Sequence, residues 1–351
     1  AQPDHVDLDA PKAVDALAGI AVRGPIPNVG VAVDAPPHRV RWCIRPAATD
    51  QADDAPPLHV TRLAGAALGE TGDVDTVLAA TAGGTLLALE PDGSTRWRAE
   101  LGTRLNDVVA DDLTGDGRDE IVIAREDYHV QVMDSSGEEL WRRGLAYYRR
   151  PPRVNVVRTG DIDGDGTPEV IAGGENWRFY AFRADGTELW NYESVHPSRS
   201  GAVADLDGDG KAEVICGTHY YWASVLGADG TRRWQYRLGP ICYDIATGRF
   251  DGDGSQGVVF GSGDGKVHYV DARGEARMAY ATGDEVKHVA AGDLDGDGLD
   301  EIVAGSLNYN LYCFGADAKR RWRLDVGGPV SALETVPRGQ GGLVIVGTAK
   351  G

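Results

Sequence analysis

Carboxylates recur in this chain at a fixed spacing. In "DIDGDGTPE", Asp161, Asp163 and Asp165 stand at positions 1, 3 and 5, and Glu169 at position 9. Asp205, Asp207, Asp209 and Glu213 repeat the pattern, as do Asp293, Asp295, Asp297 and Glu301. Asp112, Thr114, Asp116 and Glu120 form a weaker copy. In a tight Gly-bearing loop the first three acids turn inward together. With a backbone carbonyl and the last acid they complete a cage of hard oxygen donors, which suits Ca2+. Without a cation, such close carboxylates would repel one another. About four structural Ca2+ ions are therefore expected. The unit at Arg249 keeps Asp251 and Asp253 but has Gly257 in place of the final acid; it is expected to hold no ion or to be bridged by Arg249. An EF-hand does not fit, because the last acid comes too early and the flanking segments read as strands.

A second group of residues is aromatic and basic. "REDYH", "GENWR", "THYYW" and "SLNYN" supply Tyr128, His129, Glu175, Trp177, Arg178, His219, Tyr220, Tyr221, Trp222, Asn308 and Tyr309. Tyr128, Trp177, Tyr221 and Tyr309 fall in one equivalent column, where other units carry only "TAGG" or "SGDG". Segments leading into the next apolar run add Arg104, Asn106, Arg153, His196, Arg199, Tyr243, Lys287 and His288. Aromatic platforms among Arg, His and Asn suit sugar rings, and basic groups add recognition of uronate or sulfate. The column equally fits plain packing at a funnel mouth.

Positioning both groups requires a repeat. The acidic phrases start at Asp112, Asp161, Asp205, Arg249 and Asp293, with steps of 49, 44, 44 and 44 residues. A second phrase, such as "RFYAFRADGTELW", keeps the same period and closes on Trp97, Trp141, Trp190, Trp234 and Trp322, with Met278 at the equivalent place. That period, with several short strands per unit, predicts a β-propeller. "VGVAVDAPPHRVRW" ends at Trp42 without an acidic phrase before it, and "VSALETVPRGQGGLVIVGTAKG" supplies a first half without a second. Joining them predicts an all-β, seven-bladed propeller with four-stranded antiparallel blades. The ring is then closed by N- and C-terminal strands, which removes an open sheet edge. Residues 26–351 form this single domain, and residues 1–25 an arm or linker.

In an up-and-down blade alternate loops share a face. The acidic loops and the "ADG" turns therefore lie together, and the aromatic and basic segments lie opposite. The insertion that breaks the period falls in "AYYRRPPR", which includes Tyr148, and insertions on one face of a repeat array mark a binding face.

The formal charge of −19 argues against a nucleic-acid surface and against docking on anionic lipid. No apolar run is long enough to insert into a membrane. Four divalent ions would add eight positive charges, taking −19 to −11. Cys43, Cys216, Cys242 and Cys313 form no CxxC pair and read as buried thiols, with one disulfide open. Calcium loops fit an extracellular or periplasmic setting, and "AQPD" fits an end left by signal-peptide cleavage.

The acidic phrase resembles the FG-GAP (VCBS) repeat of integrin α-subunit propellers and many secreted bacterial proteins. The tryptophan phrase is similar to that of PQQ-type (quinoprotein-like) propellers. The resemblance implies a seven-bladed ring with calcium in several blades. It implies no PQQ, because quinoprotein dehydrogenases use a larger ring and a vicinal disulfide. The general plan also resembles that of propeller polysaccharide lyases, in which β-elimination needs a cation or Arg on the uronate and a Tyr or His base. His219, Tyr221, His196, Arg199, Arg153 and Tyr148 would be the catalytic candidates. The expected function is recognition of an anionic polysaccharide by a monomeric propeller, with lyase activity open. The alternative is a non-catalytic module that binds a protein partner, its aromatics and arginines serving as hot spots. A hydrolase built on Glu126 and Glu175, equivalent residues in neighbouring blades, is a third reading.

Overall fold

The repeat becomes strands almost letter for letter. In this computed structural model "VNVVRTG" is the strand Val154–Gly160 and "EVIAGG" the strand Glu169–Gly174. They are followed by Arg178–Phe182 and Glu188–Glu193, all four paired antiparallel in sequence order. The structure describes residues 59–69, 71–146, 153–337 and 341–348. Within them lie six four-stranded sheets of this kind, and Val330–Pro337 pairs with Gly342–Thr348 as half of a seventh. None of the described residues is helical, so no helix among them is long and apolar enough to cross a membrane. The second strand of each complete blade is buried along its length, save for half-buried Val77 in the first, as befits a sheet covered on both faces. The outer strands alternate, as in Arg232–Arg237, and present Arg and Glu to solvent.

Innermost in the blades are Val60–Ala66, Leu105–Asp111, Val154–Gly160, Ser198–Ala204, Cys242–Gly248, Val286–Gly292 and Val330–Pro337. Charge ties several of them together. Asp107 takes Arg62 from blade 1 at 3.2 Å and Arg158 from blade 3 at 2.7 Å. Burial raises the Glu334 carboxyl of blade 7, and the Arg62 guanidinium opposes that rise. The strands expected from the N-terminal half-unit ending at Trp42, the arm 1–25 and Cys43 lie outside the described residues. Cys216, Cys242 and Cys313 are buried free thiols, and burial pushes Cys242 and Cys313 up to about 12.

The repeated tryptophans join neighbouring blades. Four indole N–H groups donate to a carbonyl in the next blade's tight turn: Trp97 to Ser135 (3.1 Å), Trp141 to Ala184 (2.7 Å), Trp190 to Ala228 (2.8 Å) and Trp234 to Ala272 (2.9 Å). The ring then lies flat on a turn glycine with positive φ. A methyl group on Gly230 would sit 2.7 Å from Trp190, and one on Gly274 2.7 Å from Trp234. Where Met278 replaces the tryptophan, the next turn carries Ala318 at a φ of 60°. Size is exchanged as a pair. Met278→Trp alone should therefore destabilise the protein by about 1–3 kcal/mol through overpacking. Adding Ala318→Gly should recover most of that loss. Urea unfolding of the two single variants and the double variant measures the coupling, and strict additivity would contradict it.

Candidate functional site

The acidic loops are organised by their first carboxylate. Asp161 Oδ1 accepts the N–H of Gly164 at 2.7 Å and Oδ2 that of Gly166 at 2.8 Å; both glycines have positive φ. Glu169 reaches back to accept from Ile162 N–H at 3.1 Å. Asp161, Asp163 and Glu169 bring carboxylate oxygens within 4.8 Å of one another, as do Asp205, Asp207 and Glu213, and Asp293, Asp295 and Asp297. Asp165 and Asp209 instead cap Thr167 and Lys211 N–H, and Glu301 accepts from Leu294 N–H at 2.9 Å. Burial, reinforced by Asp163, Asp165 and Asp161, pushes Glu169 up to about 7. Burial and then Asp116 push Glu120 to about 7, and burial raises Glu213 and Glu301. These groups could hold cations.

Two blades solve the same charge problem otherwise. In blade 1 Arg96 binds Asp75 at 3.1 Å and the carbonyl of Leu68 at 3.1 Å, so a guanidinium occupies the loop. In blade 5 Asp253 caps Ser255, and Arg249 N–H is held by Asp300 at 2.7 Å. The weaker copy at Asp112 keeps the same backbone bonds, but Thr114 hydrogen-bonds Glu120 instead of adding charge.

Backbone bonds fix the opposite face. The loop after each second strand binds the segment entering the first strand: Glu126 N–H to Arg104, Glu175 to Arg153, His219 to Pro197 and Leu307 to Glu285. The carbonyls of Tyr128, Trp177, Tyr221 and Tyr309 accept from the residue after the outer strand. These four aromatics all have positive φ, between 57° and 70°. Gly84 and Gly265 occupy the same place in the other two complete blades. A bulky residue in the left-handed region costs about 1–2 kcal/mol that glycine does not. Tyr128 and Tyr309 are 45% and 40% exposed, so burial gives little in return. Tyr309→Gly should leave unfolding stability unchanged or raise it by up to about 1 kcal/mol. A loss above about 2 kcal/mol in urea unfolding would show that the ring is packing material.

The candidates gather in blades 3 to 6. His196 lies 5.6 Å from Trp177 and 4.8 Å from Tyr220, and Tyr220 meets Tyr221 edge-on at 4.2 Å. Val195, at a φ of 68°, presents His196 from a strained turn. Arg237 stands 5.8 Å from the Tyr221 ring. Arg199 stands 5.9 Å from the Tyr243 ring and Lys287 3.2 Å from it. Glu285 accepts from Tyr243 OH at 3.1 Å and pairs with Lys287 at 2.5 Å, while His288 turns to Asp244 at 3.7 Å. His219 and Trp222 are exposed beside this group, and the His219 ring makes no contact in it among the described residues.

Others are already engaged. Arg153 lies between Glu126 and Glu175, 3.5 Å from each. Asn106 donates to Glu126 at 2.9 Å and receives from Arg104. Arg178 binds Glu193 at 3.2 Å, His129 binds Asp127 at 3.3 Å, and Asn308 donates to Thr282 O at 2.6 Å. Tyr148 lies outside the described residues. Arg237, Glu285 and Asn155 were not singled out from the sequence. Arg237 is the cross-strand partner of Trp222, a relation that only strand register reveals.

Two family models match parts of the chain: the Lambda-carrageenase beta-propeller domain over residues 76–146, and the FG-GAP-like repeat over residues 161–216. A search of curated proteins returns no match. Among solved structures the chain is similar to BBS1N, crystallised in complex with ARL6DN, at 11% identity and a TM-score of 0.66, covering 84% of this chain and 90% of that one. It is similar to Saccharomyces cerevisiae Sqt1 at 15% identity and a TM-score of 0.65, covering 80% of each chain. BamB from Moraxella catarrhalis is 14% identical with a TM-score of 0.58, covering 83% of this chain and 81% of that one. At such identities these structures establish the fold alone. The chain is a β-propeller carrying FG-GAP-like repeats.

Proposed function

We propose that this propeller binds an anionic polysaccharide on the face opposite its acidic loops, and that those loops hold structural calcium. One observation carries the reading. Trp177, His196, Tyr220 and Tyr221 make a contiguous aromatic group with Arg237 against the Tyr221 ring, Arg199 stands against Tyr243 of the next blade, and neither exposed guanidinium has a carboxylate partner among the described residues. Sugar rings stack their C–H faces on such rings, and guanidinium forks suit sulfate or carboxylate. The partial match to a carrageenase propeller supports this reading, since lambda-carrageenan is a sulfated galactan. The acidic clusters offer only hard oxygen donors, the set that Ca2+ takes. Calcium abundant enough to fill them fits work in an extracellular or periplasmic space.

Affinity electrophoresis with calcium present tests the binding. Lambda-carrageenan or polygalacturonate in the gel should retard the protein relative to neutral agarose alone. Equal migration in every gel would sink the proposal. Ultraviolet absorbance of unsaturated sugar ends, read on the polygalacturonate sample, separates a lyase from a lectin-like module. In a lyase Arg199 would neutralise the uronate, and His196 or Tyr220 would take the α-proton.

A further inference from the structure

The second residue of each innermost strand forms a ring of equivalent positions: Thr61, Asn106, Asn155, Arg199, Tyr243, Lys287 and Ser331. In blades 1 to 3 this residue is a clasp. Thr61 Oγ1 donates to the carbonyl of Leu105 at 2.6 Å, Asn106 Nδ2 to that of Val154 at 2.8 Å, and Asn155 Nδ2 to that of Ser198 at 2.8 Å. Each acceptor begins the next blade's inner strand. Blade 4 moves the clasp one residue along, so that Ser200 Oγ donates to the carbonyl of Cys242 at 3.1 Å. Arg199 is thereby released from structural duty. The next two positions carry Tyr243 and Lys287 instead of small clasp residues.

We propose that Arg199, Tyr243 and Lys287 form an anion subsite that takes a sulfate or carboxylate group of the bound saccharide; this rests on the polysaccharide reading above. Both cations stand against the same phenol ring. Glu285 holds that ring by its hydroxyl and Lys287 by its ammonium, so two of the three groups are fixed before any ligand arrives. The ammonium charge is matched by Glu285, whereas Arg199 is exposed and has no carboxylate partner among the described residues. The attraction for an anion therefore comes chiefly from Arg199, and Glu285 opposes it.

The two signs make the test. Binding to lambda-carrageenan, polygalacturonate and agarose is measured by biolayer interferometry over a salt series, in calcium, for the parent, Arg199→Gln and Glu285→Gln. Arg199→Gln should weaken polyanion binding about tenfold and flatten its salt dependence. Glu285→Gln should strengthen it severalfold by unmasking Lys287, a gain that misfolding cannot imitate. The polymer that responds, carrageenan or polygalacturonate, identifies sulfate or carboxylate as the group read. Polyanion binding unchanged in both variants overturns the subsite and leaves the polysaccharide reading standing. A parent that binds neither polyanion overturns both.

Discussion

Chelating divalent ions from the calcium-loaded protein should lower its melting temperature by about 10 °C or more. A site filled at a hundredfold its dissociation constant adds about 2.7 kcal/mol. Three acidic clusters bring three carboxylate oxygens within 4.8 Å, and at the usual unfolding entropy per residue a 351-residue protein shifts by about 1–2 °C per kcal/mol. Replacing the third-position acids together (Asp163→Asn, Asp207→Asn and Asp295→Asn) should make the melting temperature insensitive to calcium. The metal-free protein should also respond to pH in an unusual direction. Glu169 rises from an ordinary 4.5 to about 7 in the fold, and Glu120 likewise, through burial and neighbouring acids. A raised carboxyl favours the folded state when protonated. That contribution is complete below 4.5 and is lost as pH climbs through about 7. Melting temperature without metal should therefore increase as pH falls from about 8 towards 5, and calcium should remove the trend. An unchanged melting temperature after chelation, in protein shown by elemental analysis to have been loaded, would end the structural-calcium reading.

The second large effect belongs to the opposite face. Tyr220→Ala combined with Tyr221→Gly removes the link between His196 and Arg237. Saccharide affinity should drop by about a hundredfold, the loss expected when a pair of buried-upon-binding aromatics is removed. Stability should hold, because Tyr220 is 47% exposed and position 221 has the positive φ that glycine accepts. Calorimetric titration with the polymer that retards the parent checks this. A change below about threefold would move the site elsewhere.

The architecture was legible because its cause is local and repeated. A tryptophan at a fixed spacing needs a glycine turn in the next blade, and both are visible as letters. The clustering of acids was legible for the same reason, since all the carboxylates of a phrase fall within nine residues. The other face was legible only as an inventory. Spacing placed Tyr128, Trp177, Tyr221 and Tyr309 in one column but did not reveal that the column is left-handed. Nor did it show that Arg153 lies between Glu126 and Glu175, while Arg199 is unclaimed. Those differences depend on clasps such as Thr61 to Leu105, between residues 44 apart, and on which residue of a strand makes them. Tyr220 shows the limit well: spacing placed it among the binding candidates, but only the fold sets its ring 4.8 Å from His196 and edge-on to Tyr221.

The separation of acidic loops from basic and aromatic residues has a kinetic consequence. The acidic loops are gathered at one end of the blades, whereas Arg199 and Arg237 stand exposed and without a carboxylate partner among the described residues at the other. A polyanion approaching the protein would meet repulsion from the net charge of −19 and local attraction at Arg199 and Arg237. If the proposed polysaccharide reading holds, encounters would be steered towards the side that carries Arg199 and Arg237. Ions bound in the far-side loops would reduce the overall repulsion without touching such a ligand. Calcium, placed where it cannot contact the polymer, would thus set how fast the polymer is captured.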